Sequence, residues 1–203
     1  MIKLTKNALR DQEHKLKQLQ RYLPTLQLKK AMLQAEVNQT VYEIEKLTQA
    51  YAEHQRICDK FQALLSDRGA ITLFEHTRVQ KVEKRYENIA GASIPYFEEV
   101  IFVPPDYSLL DTPIWIDSGL ELLKILIASK VKIGVVEEKK AILEEELHVV
   151  SIRVNLFEKV LIPRSQDAIK QIKIVLGDQE RASVAQAKVA KKKILKKKEV
   201  GVV

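Results

Sequence analysis

An apolar stripe with a heptad repeat occupies the first third of the chain and keeps its frame from Leu9 to Leu65. Counted in alternate steps of three and four residues, thirteen of its seventeen positions are apolar. The exceptions are Gln12, Lys30, Thr40 and His54. One straight helix would rotate such a stripe out of contact, so it must be buried against a second helix wound around the first. At about 1.5 Å per residue this helix is roughly 85 Å long, which predicts a rod rather than a globule.

A second stripe of the same period runs from Leu122 to Leu161, with ten of its twelve positions apolar and Ser129 and Lys140 as the exceptions. Beyond Pro163 the apolar residues shift by one place, which predicts a kink or a local unwinding at the proline. The shifted residues are Ile169, Ile172 and Leu176. Two seams joined by a shorter middle segment favour an antiparallel pair of helices within one chain. Parallel homodimers through each seam are the alternative, and they need twice as many partners.

The expected fold is therefore mainly α: a long antiparallel two-helix coiled coil with a short β-hairpin or irregular segment in its middle. We divide the chain into an N-terminal coiled-coil arm (1–66), a middle segment with the hairpin (67–119) and a C-terminal coiled-coil arm with a basic tail (120–203). Seven of the twelve Gly and Pro residues lie in the middle segment, which is typical of turns rather than of long helices.

Within the middle segment, strand-forming residues on both sides of Ala90–Gly91–Ala92 predict the β-hairpin. Pro95 and the prolines after the second strand place that strand at an edge or outside a sheet. An isolated hairpin is marginally stable in water, so it must pack against the coiled coil or against a partner. The cluster of Phe97, Val100, Ile101 and Phe102 is the predicted adhesive surface.

Positive charge is concentrated at the two ends of the chain. Residues 1–30 and residues 186–203 each carry a net charge of +6, whereas the whole chain carries +7. Antiparallel arms would bring these ends together in one cationic tip, which suggests an acidic partner surface or anionic lipid. A solvated lysine tail is the equal alternative. Nucleic acid is disfavoured because no arginine or aromatic residue is interleaved with the lysines.

No motif for catalysis, for a cofactor or for a metal is present. The glycines form neither of the common phosphate-binding loops. His54 and Cys58 have the spacing of two metal ligands on one helix face, but both lie on the seam, which favours packing. Cys58 is the single cysteine and is expected to be a small buried hydrophobe. We also expect no signal peptide and no transmembrane helix, because the most apolar stretch is short and charged.

Two motifs resemble the D subunit of the V-type and archaeal A-type ATPases. Residues 88–98, Asn-Ile-Ala-Gly-Ala-Ser-Ile-Pro-Tyr-Phe-Glu, are similar to the family's hairpin pattern Asn-Val-Ala-Gly-Val-x-Leu-Pro-x-Phe-Glu. Residues 153–164, Arg-Val-Asn-Leu-Phe-Glu-Lys-Val-Leu-Ile-Pro-Arg, resemble its Arg-Val-Asn-Ala-Leu-Glu-x-Val-x-Ile-Pro-Arg. The similarity spans essentially the whole chain, except that residues 102–116 match no pattern of the family.

The resemblance implies a non-catalytic central rotor shaft whose tip lies inside the catalytic A/B hexamer. The implied partners are the A and B subunits, the small F subunit of the stalk near the hairpin, and an adaptor subunit of the membrane ring. Such a shaft couples ATP synthesis or hydrolysis to proton or sodium transport by transmitting torque. It is peripheral, on the cytoplasmic face of a membrane, with neither cofactor nor nucleic acid nor a membrane-inserted segment.

The candidate site residues are all partner-binding ones and come from the hairpin motif, the helix motif and the basic tail. They are Asn88, Gly91, Pro95, Phe97, Ile101, Phe102, Asn155, Arg164, Lys192 and Lys196. For Asn155 and Arg164, cross-linking of the shaft helices and contact with the hexamer are both open.

Two other classes of protein share part of this pattern. A prefoldin-like holdase chaperone also joins coiled-coil arms through β-hairpins, but its arm tips are apolar where this tip is cationic. A structural coiled-coil tether would leave the hairpin motif unexplained. The gamma subunit of F-type synthases shares the shaft but needs a larger globular domain between its arms.

Overall fold

The computed structural model of the chain describes residues 3–60, 77–104 and 115–200, the last four of these by their backbone alone. In these residues the chain forms, in order, a helix, a β-hairpin and two helices joined by a π-helical turn. Their bounds are α1 Lys6–Asp59, β1 Val79–Ile89, β2 Ala92–Phe102, α2 Ile116–Leu156, the π turn Phe157–Leu161 and α3 Ile162–Val200. The fold is mainly helical with a central hairpin, as the sequence predicted.

α1 begins at a threonine cap and keeps its seam covered to its end. The hydroxyl of Thr5 accepts a hydrogen bond from the Ala8 N–H at 3.2 Å, which satisfies one of the free donors of the first turn. None of the fifteen seam positions from Leu9 to Cys58 is exposed, so the heptad prediction is confirmed there. Its last two positions, Phe61 and Leu65, lie outside the described residues.

The second seam is distorted where the sequence predicted it. The N–H of Ile162 donates to the carbonyl of Phe157, five residues back, which defines the π turn. Pro163 has no N–H and its ring crowds the carbonyl four residues earlier, so a wider turn accommodates it. The extra residue moves the buried stripe by one place, and Ile169 and Ile172 are buried accordingly.

The chain divides into two compact units. The terminal unit contains Met1–Leu28 and Ser151–Val203, and the central unit contains Lys29–Val150. In the terminal unit Lys6 forms an ion pair with Glu180 at 3.4 Å, and Glu13 forms one with Lys173 at 2.9 Å. Seven residues forward along α1 correspond to seven residues backward along α3, so the two helices are antiparallel.

In the central unit α1 and α2 pair in the same way. Lys29 forms an ion pair with Glu146 at 3.9 Å, and Glu36, seven residues on, forms one with Lys139 at 3.0 Å, seven residues back. The buried residues between the helices include Leu33, Val37, Thr40, Ile133, Val136, Leu143 and Val150. The hydroxyl of Thr40 donates to the Glu36 carbonyl at 2.8 Å, so this polar seam residue is satisfied. Both units therefore pair helices of the same chain.

The hairpin is antiparallel and closes with a two-residue turn. Ile89 pairs with Ala92, which leaves Ala90 and Gly91 as the loop. Their φ angles are +52° and +89°, and two successive positive angles are the signature of the type I′ turn that matches strand twist. Each strand also carries a bulge, one at Gln80 and one at Glu98. The sheet has two strands, so both are edges and Pro95 is tolerated in β2.

Candidate partner-binding surface

The hairpin is supported by the helices of the central unit. Lys84 of β1 donates a hydrogen bond to Glu138 of α2 at 2.5 Å, and this bond raises the pKa of Lys84 above its ordinary value of 10.5. The amine of Lys124 in α2 lies 5.7 Å from the ring centre of Phe102. The buried residues of β2 are Ala92, Ile94, Pro95 and Val100. The sequence predicted that the hairpin packs against the coiled coil or against a partner, and in the structure it packs against α2 of the same chain.

Lys139 is the most deeply buried charged residue of this contact, with 3% of its surface exposed. Its amine lies 3.0 Å from a carboxylate oxygen of Glu36, 3.9 Å from one of Glu43 and 4.6 Å from the ring centre of Tyr96. Burial disfavours the charged amine, but the hydrogen bond to Glu36 and the neighbouring charges outweigh it. The pKa of Lys139 therefore lies above its ordinary value of 10.5, and the amine is charged at neutral pH.

Sequence reasoning missed Lys139 because it assigned the neighbouring Lys140 to the seam. Lys140 is indeed half-buried, and it pairs with Glu144 on its own helix at 3.6 Å. The hairpin covers a second face of α2 beside the seam, so Val135 and Lys139 are buried as well as the heptad positions. One signal was available in the sequence: Val135 and Val136 are consecutive apolar residues, which makes the apolar stripe of α2 wider here than a two-stranded seam requires.

The turn residues of the hairpin motif hold its conformation. The side-chain oxygen of Asn88 accepts a hydrogen bond from the Gly91 N–H at 2.9 Å. Gly91 has the positive φ that favours glycine. Pro95 is fully buried. Asn88 and Gly91 are exposed at the turn end of the hairpin, whereas the buried Pro95 lies within β2.

The predicted adhesive cluster is only partly covered by the helices. Val100 is buried, so its place in the adhesive surface was predicted wrongly. Phe97 and Phe102 are half-buried, and Ile101 retains 36% of its surface. Tyr86 of β1, which the sequence did not single out, is 59% exposed. Val79 and Val103 are exposed beside them. Along its two strands the hairpin thus presents apolar and aromatic groups that the described part of the chain leaves at least partly exposed.

The remaining candidates lie in the terminal unit. Asn155 and Arg164 are exposed on either side of the π turn, and Arg164 lines a small pocket with Gln12 and Ser165. Lys192 and Lys196 are exposed on the last turns of α3. These four residues belong to the terminal unit, whereas the hairpin candidates belong to the central unit.

The similarity of this chain to known proteins extends over nearly its whole length rather than over one motif. Residues 8–192 match the family described as the D subunit of ATP synthase. The chain belongs to that family. It is similar to the V-type ATP synthase D subunit of Chlamydia caviae, with 46% identity over 98% of this chain and 96% of the relative. The corresponding V-type proteins of Chlamydia pneumoniae and Chlamydia trachomatis are 45% and 44% identical over 95% and 98% of this chain.

The two family motifs coincide with the two irregular elements of this fold. Residues 88–98 form the type I′ turn and most of β2, and residues 153–164 contain the π turn. Irregular backbone tolerates few residue types, because positive φ angles and a helical proline each restrict the side chain. The motifs therefore specify backbone geometry at least as much as contacts.

In the described part of this D-family chain, no group of three or more His, Cys, Asp or Glu residues could hold a metal ion. Cys58 is buried, and its burial, with the charge of Asp59, raises the pKa of its thiol above 9.0. None of the helices among residues 3–60 and 115–200 has a stretch long and apolar enough to span a bilayer.

Proposed function

We propose that the chain is the central-stalk rotor subunit of a V-type ATP synthase or ATPase. In this role it transmits torque between the catalytic A/B hexamer and the membrane ring, and so couples ATP synthesis or hydrolysis to proton or sodium transport. It contributes no catalytic group and works as a peripheral part of the complex on the cytoplasmic face of the membrane. The observation that carries the proposal is the similarity to a V-type ATP synthase D subunit over 98% of the chain.

The paired helices support a mechanical role. Torque loads a two-helix shaft by sliding and twisting one helix against the other. In each unit, interhelical ion pairs one heptad apart add to the buried apolar seam. Exposed ion pairs contribute little individually, so the apolar seam carries most of the stability and the ion pairs add direction and register.

We further propose that the exposed part of the hairpin docks the small F subunit of the stalk. Tyr86 and Ile101 are exposed there, and Phe97 and Phe102 are half-buried beside them. Exposed apolar groups of this kind mark interaction surfaces, and aromatic anchors dominate the energy of most interfaces. The basic end of α3, with Lys192 and Lys196, faces the A/B hexamer in this proposal, and the adaptor of the membrane ring is the further partner.

A holdase chaperone is the second candidate because α3 exposes apolar side chains near its basic end. These are Val184, Val189, Ile194 and Leu195, each at least half exposed. Such residues could hold an unfolded client, as the arms of a prefoldin-like protein do.

Co-purification separates the two functions. The affinity-tagged chain is co-expressed with the A, B and F subunits of its own complex, and the eluate is analysed by mass spectrometry. We expect all three subunits in stoichiometric amounts, and their ATP-dependent rotation when the assembly is complete. Failure to retain A, B or F, together with suppression of the aggregation of a denatured test protein, would replace the rotor by the holdase.

A further inference from the structure

A heptad seam does not by itself fix how far one helix is shifted along the other. At most positions a slip of seven residues places apolar residues opposite apolar residues again, so the apolar part of the seam distinguishes the registers of α2 only weakly. Polar residues buried at single positions are the usual means of choosing one register. In the central unit Lys139 is such a residue, since it is charged and 3% exposed.

The α1 residues that Lys139 can meet are spaced by one heptad. They are Lys29, Glu36, Glu43 and Ala50. In the observed register the amine of Lys139 lies between Glu36 and Glu43, at 3.0 and 3.9 Å. A slip of seven residues in one direction would place it between Lys29 and Glu36, and a slip in the other direction between Glu43 and Ala50. The observed register alone brackets the buried amine with two carboxylates.

The same amine also contacts the hairpin. The ring of Tyr96 in β2 lies 4.6 Å from it, and the preceding residue, Glu138, accepts the hydrogen bond of Lys84 in β1. Two consecutive residues of α2 therefore hold the hairpin at the level where α1 supplies its two carboxylates. Displacement of α2 along α1 would separate Lys139 from its two carboxylates, and it would either carry the hairpin along with α2 or break these two contacts.

We propose that Lys139 sets the register of α1 against α2 and seats the hairpin on that register. It acts as a positioning residue: the buried ion pairs contribute specificity, whereas an apolar side chain of the same length would serve the stability of the core as well or better. This role does not depend on the proposed function, since it concerns the packing of the chain alone. In a rotating shaft it would keep the partner-binding hairpin at a fixed height and angle.

The test measures register directly in the full-length chain with Cys58 replaced by Ala. Spin labels are attached to cysteines at Gln49 of α1 and Glu145 of α2, which are exposed and belong to none of these ion pairs. The comparison is between Lys139→Met, which keeps the length of the side chain and removes its charge, and the matched control Lys140→Met on the next residue. Helical content is checked by circular dichroism.

For Lys139→Met we expect a second inter-label distance displaced by about 10 Å, the length of seven helical residues. We also expect amide exchange in the hairpin to be about tenfold faster, because the cation–π contact with Tyr96 is lost. The parent chain and Lys140→Met should each give one distance and slow exchange. The spin-labelled variant Glu43→Gln keeps Lys139 but removes one of the two carboxylates beside it. It should show the second distance at a lower population than Lys139→Met does.

A single parental distance and parental exchange in Lys139→Met would overturn the proposal and make Lys139 a core residue without a register role. If Lys139→Met does not fold, Glu43→Gln decides alone. A second distance in this variant supports the register role, and a single parental distance overturns it.

Discussion

Replacement of Ala90 by Asn should stabilise the hairpin by about 1 kcal/mol. Ala90 has a φ of +52° in the first position of the turn, where an alanine side chain costs about 1–2 kcal/mol because its Cβ crowds the following carbonyl. Asparagine adopts this region readily, since its side chain forms local hydrogen bonds, and Asn-Gly is the preferred pair of a type I′ turn. The Gly91 that follows is already present.

Two further substitutions check this magnitude. Ala90→Gly relieves the same strain but loosens the unfolded chain at a cost of about 0.4–1 kcal/mol, so its gain should be smaller. Gly91→Ala should do the reverse of both, because it introduces backbone strain and restricts the unfolded chain. Its new Cβ would meet only the amine of Lys29 at 3.5 Å, an ordinary contact. The strain of about 1–2 kcal/mol, offset by about 0.4–1 kcal/mol from the unfolded chain, leaves an expected net loss of about 1 kcal/mol.

Hydrogen exchange of the β1 and β2 amides in the full-length chain measures all three variants. A gain of about 1 kcal/mol slows exchange through hairpin opening by roughly fivefold. If the hairpin unfolds with the rest of the chain, the melting temperature rises by about 2–4 °C instead. Unchanged or faster exchange in Ala90→Asn, or no loss in Gly91→Ala, would show that the turn in solution is not left-handed at these residues.

Three other outcomes are expected. Phe97→Asp should abolish capture of the F subunit with unchanged helical content in circular dichroism, because a charge enters the apolar docking surface; a loss of helicity would mean that Phe97 serves internal packing only. Truncation after Gln186, which removes seven lysines, should weaken binding to the A/B hexamer modestly and flatten its dependence on ionic strength; equal salt slopes would mean a solvated tail. Because the pKa of Lys139 is raised above 10.5, the stability that it contributes is present below that pH and is lost as the pH rises through its folded-state pKa. Alkaline melts of the parent chain should show this loss, and those of Lys139→Met should show less of it.

The seams were predictable because their physical cause is local and repeated. Each of the fifteen described positions of the first seam obeys one rule, the burial of every third or fourth residue against a second helix. The distortion at Pro163 was predictable for a similar reason, since proline removes a specific hydrogen bond wherever it stands in a helix. The hairpin followed from strand-forming residues on both sides of a glycine turn.

The contacts of the hairpin were not predictable, because they depend on where the hairpin packs. Nothing local distinguishes the buried Lys139 from the half-buried Lys140. The difference lies in the tertiary contacts of Lys139, which meets Glu36 of α1 and the ring of Tyr96 in the hairpin. The exposure of Tyr86 was missed for the same reason: it is one of four aromatic residues in the two strands, and only packing decides which of them is left exposed. The sequence identified the hairpin as the candidate surface, and packing selected its exposed residues.

The π turn at Phe157–Leu161 restricts the number of residues between α2 and α3 as well as their types. In the terminal unit Val154 precedes the turn and Ile172 follows it, and both are buried. Closure of the turn into a regular helix with every residue kept, as Pro163→Ala would permit, would rotate everything after it by about 100° and carry Ile172 out of the interface. Deletion of one residue from the turn would instead restore a regular helix with Ile172 still on the seam. A chimaera can join one half of this helix to the matching half from a relative. It therefore keeps the buried interface only if the π turn and Pro163 are exchanged together.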